Sequence, residues 1–451
     1  MPINGLRREI LQVARQRALE INLRSPRPRL LGLFCTSAFL VLATDCLAGG
    51  FESPVESVRG VGSAGSGEVT GQGVDYLWRN PAAISDIESP EVYIGASAVL
   101  ADATVTDLGS TITRPFTPAL PVGGDPSVDP IGANASPALG VAWRLAPGVT
   151  AGVTLNAPFG FDLASPDTAW SRFQGTTVSL ITADAQAGLA WRLNDRLSVG
   201  AGVDLIYSKL RLDSALPNLS MLQPDGASSF RGDGWSFGWV VGAQWRPLDA
   251  LTIGASYRAG VTRGLHGQLE TQGLSGPLAL GNGVSDATAH FSTPWSASLG
   301  LRWQITARLA LTAQATRTGW SRFETIEVER AGGSTSPATP GRDTTAVSIG
   351  AEFAYSPRLT LRAGWQADPQ AIAGSAMLTD GDRRLYAAGA SYRLKGRTWV
   401  DLAIGYLDFK TSPIDADATA YAGTPLAIPV RLSGQVAAQA GLMSVGLRRG
   451  F

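Results

Sequence analysis

From about residue 90 to its end the chain alternates between apolar positions and polar or small ones. In "LSVGAGVDLIY" Leu197, Val199, Ala201, Val203, Leu205 and Tyr207 share one face, while Ser198, Gly200, Gly202 and Asp204 share the other. "LTIGASYRA" sets Leu251, Ile253, Ala255 and Tyr257 against Thr252, Gly254, Ser256 and Arg258. "RLTLRAGWQ" sets Leu359, Leu361, Ala363 and Trp365 against Thr360, Arg362, Gly364 and Gln366. A period of two is the signature of a strand with two different faces. Such runs predict strands at 91–103, 137–146, 149–157, 176–193, 196–212, 234–247, 250–263, 289–305, 308–320, 343–355, 358–367, 384–394, 397–410 and 435–451, an even set of fourteen.

A short repeat punctuates these runs: glycine, two residues, an aromatic, and often arginine. It occurs as Gly140-Val-Ala-Trp143-Arg144, Gly188-Leu-Ala-Trp191-Arg192, Gly242-Ala-Gln-Trp245-Arg246, Gly300-Leu-Arg-Trp303, Gly350-Ala-Glu-Phe353 and Gly389-Ala-Ser-Tyr392-Arg393. Each copy is followed by a short turn, such as Pro147-Gly148 or Asn194-Asp195, and each turn by another alternating run. Six short turns therefore alternate with seven long polar loops, and the aromatics gather at the short-turn ends. A β-sandwich alternates too. An aromatic girdle, a minority face of arginines, aspartates and threonines, and strictly alternating short and long connections instead describe a single-chain outer-membrane barrel. Closing the sheet satisfies every backbone group in lipid, which an open sheet cannot do.

Composition agrees. Only 16% of the 451 residues are charged, against roughly a quarter in ordinary soluble domains. No stretch beyond the N-terminal region is apolar for long enough to make a spanning helix. That region reads as a signal peptide, residues 1–48: Arg24, Arg27 and Arg29 precede an apolar run from Leu30 to Ala43, and Cys46-Leu47-Ala48 offers a small-residue cleavage site. Its n-region, 1–26, is unusually long, which leaves open a start downstream of Met1. Asp45 stands where a lipoprotein signal has a small residue, so Cys46 is not read as lipidated. Both cysteines, Cys35 and Cys46, leave with the signal, which excludes disulfides and thiolate sites from the mature chain. The 37 basic and 37 acidic residues lose seven and three members with it, and the resulting acidic balance argues against a nucleic-acid partner.

Some forty residues, 49–88, separate the signal from the first strand. They contain Gly60-Val-Gly62-Ser-Ala-Gly65, which spells the dinucleotide fingerprint G-x-G-x-x-G. That motif needs a buried apolar strand before it and a helix after it. "FESPVESV" precedes it and more glycines follow, so the nucleotide reading fails. The segment is aperiodic and too polar for a membrane element. It suits either a plug in a lumen that would otherwise be a wide aqueous hole, or a periplasmic tail.

The motifs "AGGF", "GSAGSGEVTGQG" and "RNPAAIS", followed by "NAPFGF", "WSRF", "AWRLNDRLSVGAGVDLIY", "GWSFGWVVGA", "GWSRF" and "DRRLYAAGASY", resemble in order and spacing the FadL family of outer-membrane transporters of hydrophobic compounds. The resemblance covers essentially all of the mature chain. It implies an all-β fold, a 14-stranded antiparallel transmembrane β-barrel (89–451) with an N-terminal hatch or plug (49–88) inside the lumen. It also implies a route: capture among the extracellular loops, a site in the upper lumen, hatch rearrangement, and lateral release into the membrane where the third strand is kinked. Asn80, Pro81 and Ala82 match the family's hatch motif. Pro158 ends the third strand's alternation and, with Asn156 and Gly160, is expected either to shape the lateral opening or merely to begin a loop. An acidic ligand in a water-poor site needs a basic anchor. Arg342 matches one family position and is expected on the inward face. Lys209 and Arg211 fall near another, although continued alternation puts both on the lipid side. Phe159, Phe161, Trp170 and Phe173, expected in the loop after the third strand, are candidates for an apolar landing groove or for simple packing.

Phe451, with Leu447, Val445 and Met443 on its face, resembles the terminal signal that such barrels present to their assembly machinery; Arg449 departs from that pattern. The remaining expectations are a monomer in the bacterial outer membrane, in contact with outer-membrane lipid and lipopolysaccharide. Long-chain fatty acids head the range of ligands, with aromatic or alkane hydrocarbons next and a general aqueous porin a less favoured alternative. No cofactor is expected. His266 and His290 stand apart, with no partner at triad or metal-site spacing, so neither an enzyme nor a metal site is expected.

Overall fold

A computed structural model describes residues 52, 56–131, 133–323, 325–330, 333–335, 341–376 and 380–451. The expected signal peptide, 1–48, lies outside the described residues, as does the start of the expected hatch, 49–51. Fourteen antiparallel strands form one closed sheet. They are β1 (Glu91–Asp107), β2 (Ala133–Ala146), β3 (Val149–Asn156 and Gly160–Ala164), β4 (Thr177–Arg192), β5 (Leu197–Leu216), β6 (Gly226–Leu248) and β7 (Leu251–Arg258 and Thr262–Gln272). The second half holds β8 (Gly283–Ser292 and Ser296–Gln304), β9 (Leu309–Thr318 and Glu327–Arg330), β10 (Thr344–Ser356), β11 (Leu359–Asp368), β12 (Arg383–Arg393), β13 (Thr398–Phe409 and Ser412–Ala420) and β14 (Ile428–Gly450). β1 and β14 close the ring in continuous register from Glu91↔Gly450 to Asp107↔Gly434.

The alternation sorts side chains as lipid requires. On β5 and β6, Val203, Leu205, Trp235, Phe237 and Trp239 face outward, while Asp204, Ser208 and Gly238 face the lumen. The repeat aromatics Trp143, Trp191, Trp245, Trp303, Phe353 and Tyr392 are 36–57% exposed on the outer surface at the short-turn rim, where an interfacial girdle belongs.

Several strands run beyond their expected ends on the loop side. The β5–β6 ladder is unbroken from Trp245↔Leu197 to Gly226↔Leu216. Above Tyr207 and Trp235 its outward positions become Lys209, Arg211, Asp233 and Arg231. Pairing continues there after the apolar alternation has ended, because the outer face has left the hydrocarbon. A second apolar cluster, including Val105, Ile112, Trp170, Ile414, Val430 and Leu432, packs beneath the long loops.

Candidate functional site

The lumen is occupied by residues 56–88. Ser57 caps a short helix, α1 (Val58–Gly62), by accepting from Gly60 N. Two 3-10 turns come next, Val74–Tyr76 and Pro81–Ile84, the second opened by Asn80, whose side chain accepts from Ala82 N. Val58, Val61, Val69, Leu77, Trp78 and Ile84 are buried. The segment touches wall strands around the whole ring, and the repeat glycines are where it rests. A methyl group added at Gly140, Gly188, Gly242, Gly300, Gly350 or Gly389 would come within 2.9 Å of Val74, Leu77, Asn80, Val69, Ser66 or Gly62 respectively. Glycine is needed at these places for close approach of chain to chain.

The arginine of the repeat has a part too. Arg246 and Arg192 (3.8 Å) pair with Asp86, and Arg144 donates to the carbonyl of Ile87 (3.2 Å). One pentapeptide thus supplies a seat, a lipid anchor and, in three copies, a clamp on the plug's C-terminal end. Asn80 Nδ2 donates to the carbonyls of Val69 (2.7 Å) and Ala243 (3.2 Å), and Gln244 Nε2 to those of Val69 (3.0 Å) and Gly71 (2.8 Å). Asn80, Pro81 and Ala82 therefore sit against Gly200 and Gly242 of β5 and β6. Trp78 Nε1 donates to Asp184 (2.9 Å) and its ring lies under Arg258, which is paired with Asp204 (2.6 Å).

One irregularity of the wall lies in β3. β3 pairs with β4 up to Asn156↔Asp184 and resumes at Gly160↔Ile181, so β3 holds one residue more than its partner. This bulge, Ala157-Pro158-Phe159, reverses the facing of the residues beyond it, and Phe161 and Leu163 point inward and are buried. On the other side, β2 and β3 pair no further than Leu139↔Leu155 and meet again only at the bridge Ile131↔Leu163, among the described residues. Asn156, Pro158 and Gly160 lie at this break, in a strand that continues rather than ends. The plug reaches it as well, through a backbone bridge between Glu52 and Phe159.

The basic residues singled out from sequence do not meet here. Arg342 precedes β10, with its side chain 61% exposed; it donates to the carbonyl of Gln370 (2.7 Å) and lies 3.8 Å from Asp382. The expected inward face is therefore corrected: the strand begins only at Thr344, and Arg342 stays with the rim loops. Lys209 and Arg211 face outward, and Arg211 pairs with Asp213 (2.5 Å). Trp170 is fully buried in the loop cluster, and Phe173 lies beneath the Arg172 guanidinium at 4.4 Å, so neither lines an open groove. His266 faces outward beside Thr288 (3.1 Å), and the half-exposed His290 lies 3.9 Å from Glu329.

Besides Arg258, Arg263 on β7 faces inward near the break and is 1% exposed. It bonds Ser208 through Nη1 and lies 5.6 Å and 5.8 Å from the rings of Phe159 and Phe291. Its Nε and Nη2 have no hydrogen-bond partner, and no carboxylate lies within 4.0 Å, among the described residues. Phe159 and Phe291 belong to a buried apolar cluster that also holds Phe161, Leu210, Phe230 and Leu265. A buried guanidinium in apolar surroundings is unfavourable until an anion meets it. At the loop tips, Met221, Leu222 and Leu280 are 60–96% exposed. Asn218 ties their loops together, accepting from Ser275 and donating to the carbonyls of Pro224 and Gly273.

A closed, lipid-facing barrel with a seated plug, an apolar upper lumen and a break in its wall defines a class, the plugged outer-membrane channel. The chain belongs to the outer membrane protein transport protein family (OMPP1/FadL/TodX), whose model matches residues 39–451. It is 24% identical to a 47 kDa outer membrane protein of Pasteurella multocida, over 83% of this chain and 90% of the relative. It is 23% identical to a long-chain fatty acid transport protein of Salmonella typhi, over 82% and 90%. The crystal structure of a Pseudomonas aeruginosa FadL homologue shares the fold, with TM-score 0.79, 21% identity and coverage of 89% of this chain and 100% of that one. The Pseudomonas putida toluene transporter TodX does so with TM-score 0.66, 21% identity and coverage of 90% and 99%. Family membership makes the chain a transporter of hydrophobic compounds in the bacterial outer membrane, and not an enzyme.

Proposed function

We propose that this transporter admits long-chain fatty acids passively. They are caught on the apolar loop tips, held in the upper lumen with the carboxylate on Arg263, and released sideways through the break between β2 and β3 after the plug rearranges. The observation that carries the acid, as opposed to a neutral hydrocarbon, is the buried Arg263 with two unpaired nitrogens amid aromatic rings. A toluene-like ligand would leave those two nitrogens unpaired. Lateral release suits the chemistry, since an apolar tail gains nothing by crossing an aqueous pore. We further expect a monomer inserted by the barrel assembly machinery through Phe451 and surrounded by lipopolysaccharide.

The test is uptake of radiolabelled oleate by cells lacking their own transporter and expressing this chain, its Arg263→Ala variant, or a chain without 49–88. The intact chain should support uptake. Arg263→Ala should lower the affinity about tenfold or more, as expected when a buried charge-assisted contact is lost. The plug deletion should open an ion-conducting pore. Full oleate uptake by Arg263→Ala, or toluene uptake in place of oleate, would move the assignment to neutral hydrocarbons.

A further inference from the structure

At the centre of the plug one guanidinium serves three carboxylates. Arg79 Nη1 lies 2.6 Å from Glu52, Nη2 3.2 Å from Glu56 and Nε 3.2 Å from Glu68. All four side chains are at least 86% buried. The three acids differ in what they hold. Glu56 and Glu68 belong to the body of the plug: Glu56 adjoins the cap of α1, and Glu68 packs against Gly60. The backbone of Glu52 itself bridges Phe159 at the break in β3. Arg79 itself is fixed at its root, because the next residue, Asn80, is bonded to the β6 wall. Its guanidinium also lies 4.7 Å from the Trp78 ring.

We propose that Arg79 is the positioning residue of a partner-exchange latch: it pins Glu52 across the break in β3 and frees it by turning fully to Glu56 and Glu68. The inference rests on the lateral-release reading. Taking the sole partner from a buried cation is strongly unfavourable, because the charge left behind is uncompensated. Two further carboxylates remove that obstacle, since Arg79 stays paired after Glu52 departs. Glu56 Oε1, which has no hydrogen-bond partner among the described residues, is free to accept. Crowding of negative charge also favours departure, and burial pushes the Glu56 carboxyl up to about 8 against the pull of Arg79. The released Glu52 has somewhere to go. Beside Arg79 and Glu68 it borders a cavity of about 60 Å³ with a mixed lining that includes Thr318, Thr344, Arg383 and Leu385, and a space of that size next to polar groups holds water.

The latch assigns opposite effects to substitutions that each remove negative charge from the same cluster. Oleate uptake is measured in cells at pH 8.5, with outer-membrane abundance and heat-modifiable gel mobility as the check on folding. Glu52→Gln should raise the initial rate about threefold by weakening the pin, and Glu56→Gln/Glu68→Gln should lower it about threefold by leaving Glu52 the only anion available to Arg79. Glu68→Gln alone replaces the double variant if the latter does not fold. Effects of the same sign, or none in either folded variant, overturn the latch. Wild-type cells that take up no oleate would instead overturn the reading beneath it.

Discussion

Arg263 is held where charge is least welcome, and the cost should be measurable. Arg263→Met keeps much of the side-chain volume and removes a buried, half-satisfied cation. Such exchanges are often neutral or stabilising by about 1–4 kcal/mol. The refolded barrel should therefore unfold at a higher urea concentration than wild type while binding oleate more weakly, and lower stability would place Arg263 among ordinary structural residues. Sequence parity hides this residue. Arg258 falls on the inward face of β7, and counting on by twos puts Arg263 outside. The register with β6 moves from Val240↔Arg258 to Asp233↔His266, one residue being absorbed at Ala259–Val261, and the facing reverses. Gly260 is the available signal, since a glycine inside a strand run often marks a bulge. Arg342, by contrast, is misplaced by extending inward facing to a residue ahead of the strand.

At the level of the strand, lipid makes much of the barrel legible. Each strand must be apolar on one side for the height of the membrane, so its presence and its short-turn end are written plainly in the alternation. Its far end is not, because above the hydrocarbon the outer face turns polar while the ladder continues, as on β5 beyond Tyr207. The break in β3 is half legible: Pro158 announces it, but not that pairing resumes at Gly160. If that bulge is the exit, removing its extra residue should close it. Deleting Ala157 together with Pro158→Val lets β3 pair with β4 in one register. Uptake should fall at least about tenfold, equivalent to ~1.4 kcal/mol of added barrier, with folded barrel still present at normal abundance. Undiminished uptake would take the exit away from β3.

For the molecule as a whole, the plug is joined to the barrel by charge and by shape. Burial, with smaller contributions from neighbouring Glu68 and Glu52, pushes the Glu56 carboxyl up to about 8 against the pull of Arg79, from an ordinary value of 4.5. A raised carboxyl binds its proton more tightly in the seated plug than in the released one. Its contribution to seating is therefore complete below pH 4.5 and is lost as the pH climbs toward 8. Hydrogen exchange at the amides of Val69 and Ala82 should thus be slower at pH 5 than at pH 8.5, after correction for intrinsic rates, and Glu56→Gln should flatten that difference. An equal difference in the variant would assign it to another group. The composition of residues 49–88 does not choose between a plug and a tail. The missing clue lies in the barrel, in a row of glycines whose purpose appears only once the chain they cradle is in view. That row also acts as a gauge. A strand slipped by one position would turn its glycine toward lipid and present a bulkier neighbour to the lumen, and the plug would no longer fit. The segment that closes the finished channel thereby tests the alignment of the wall that surrounds it.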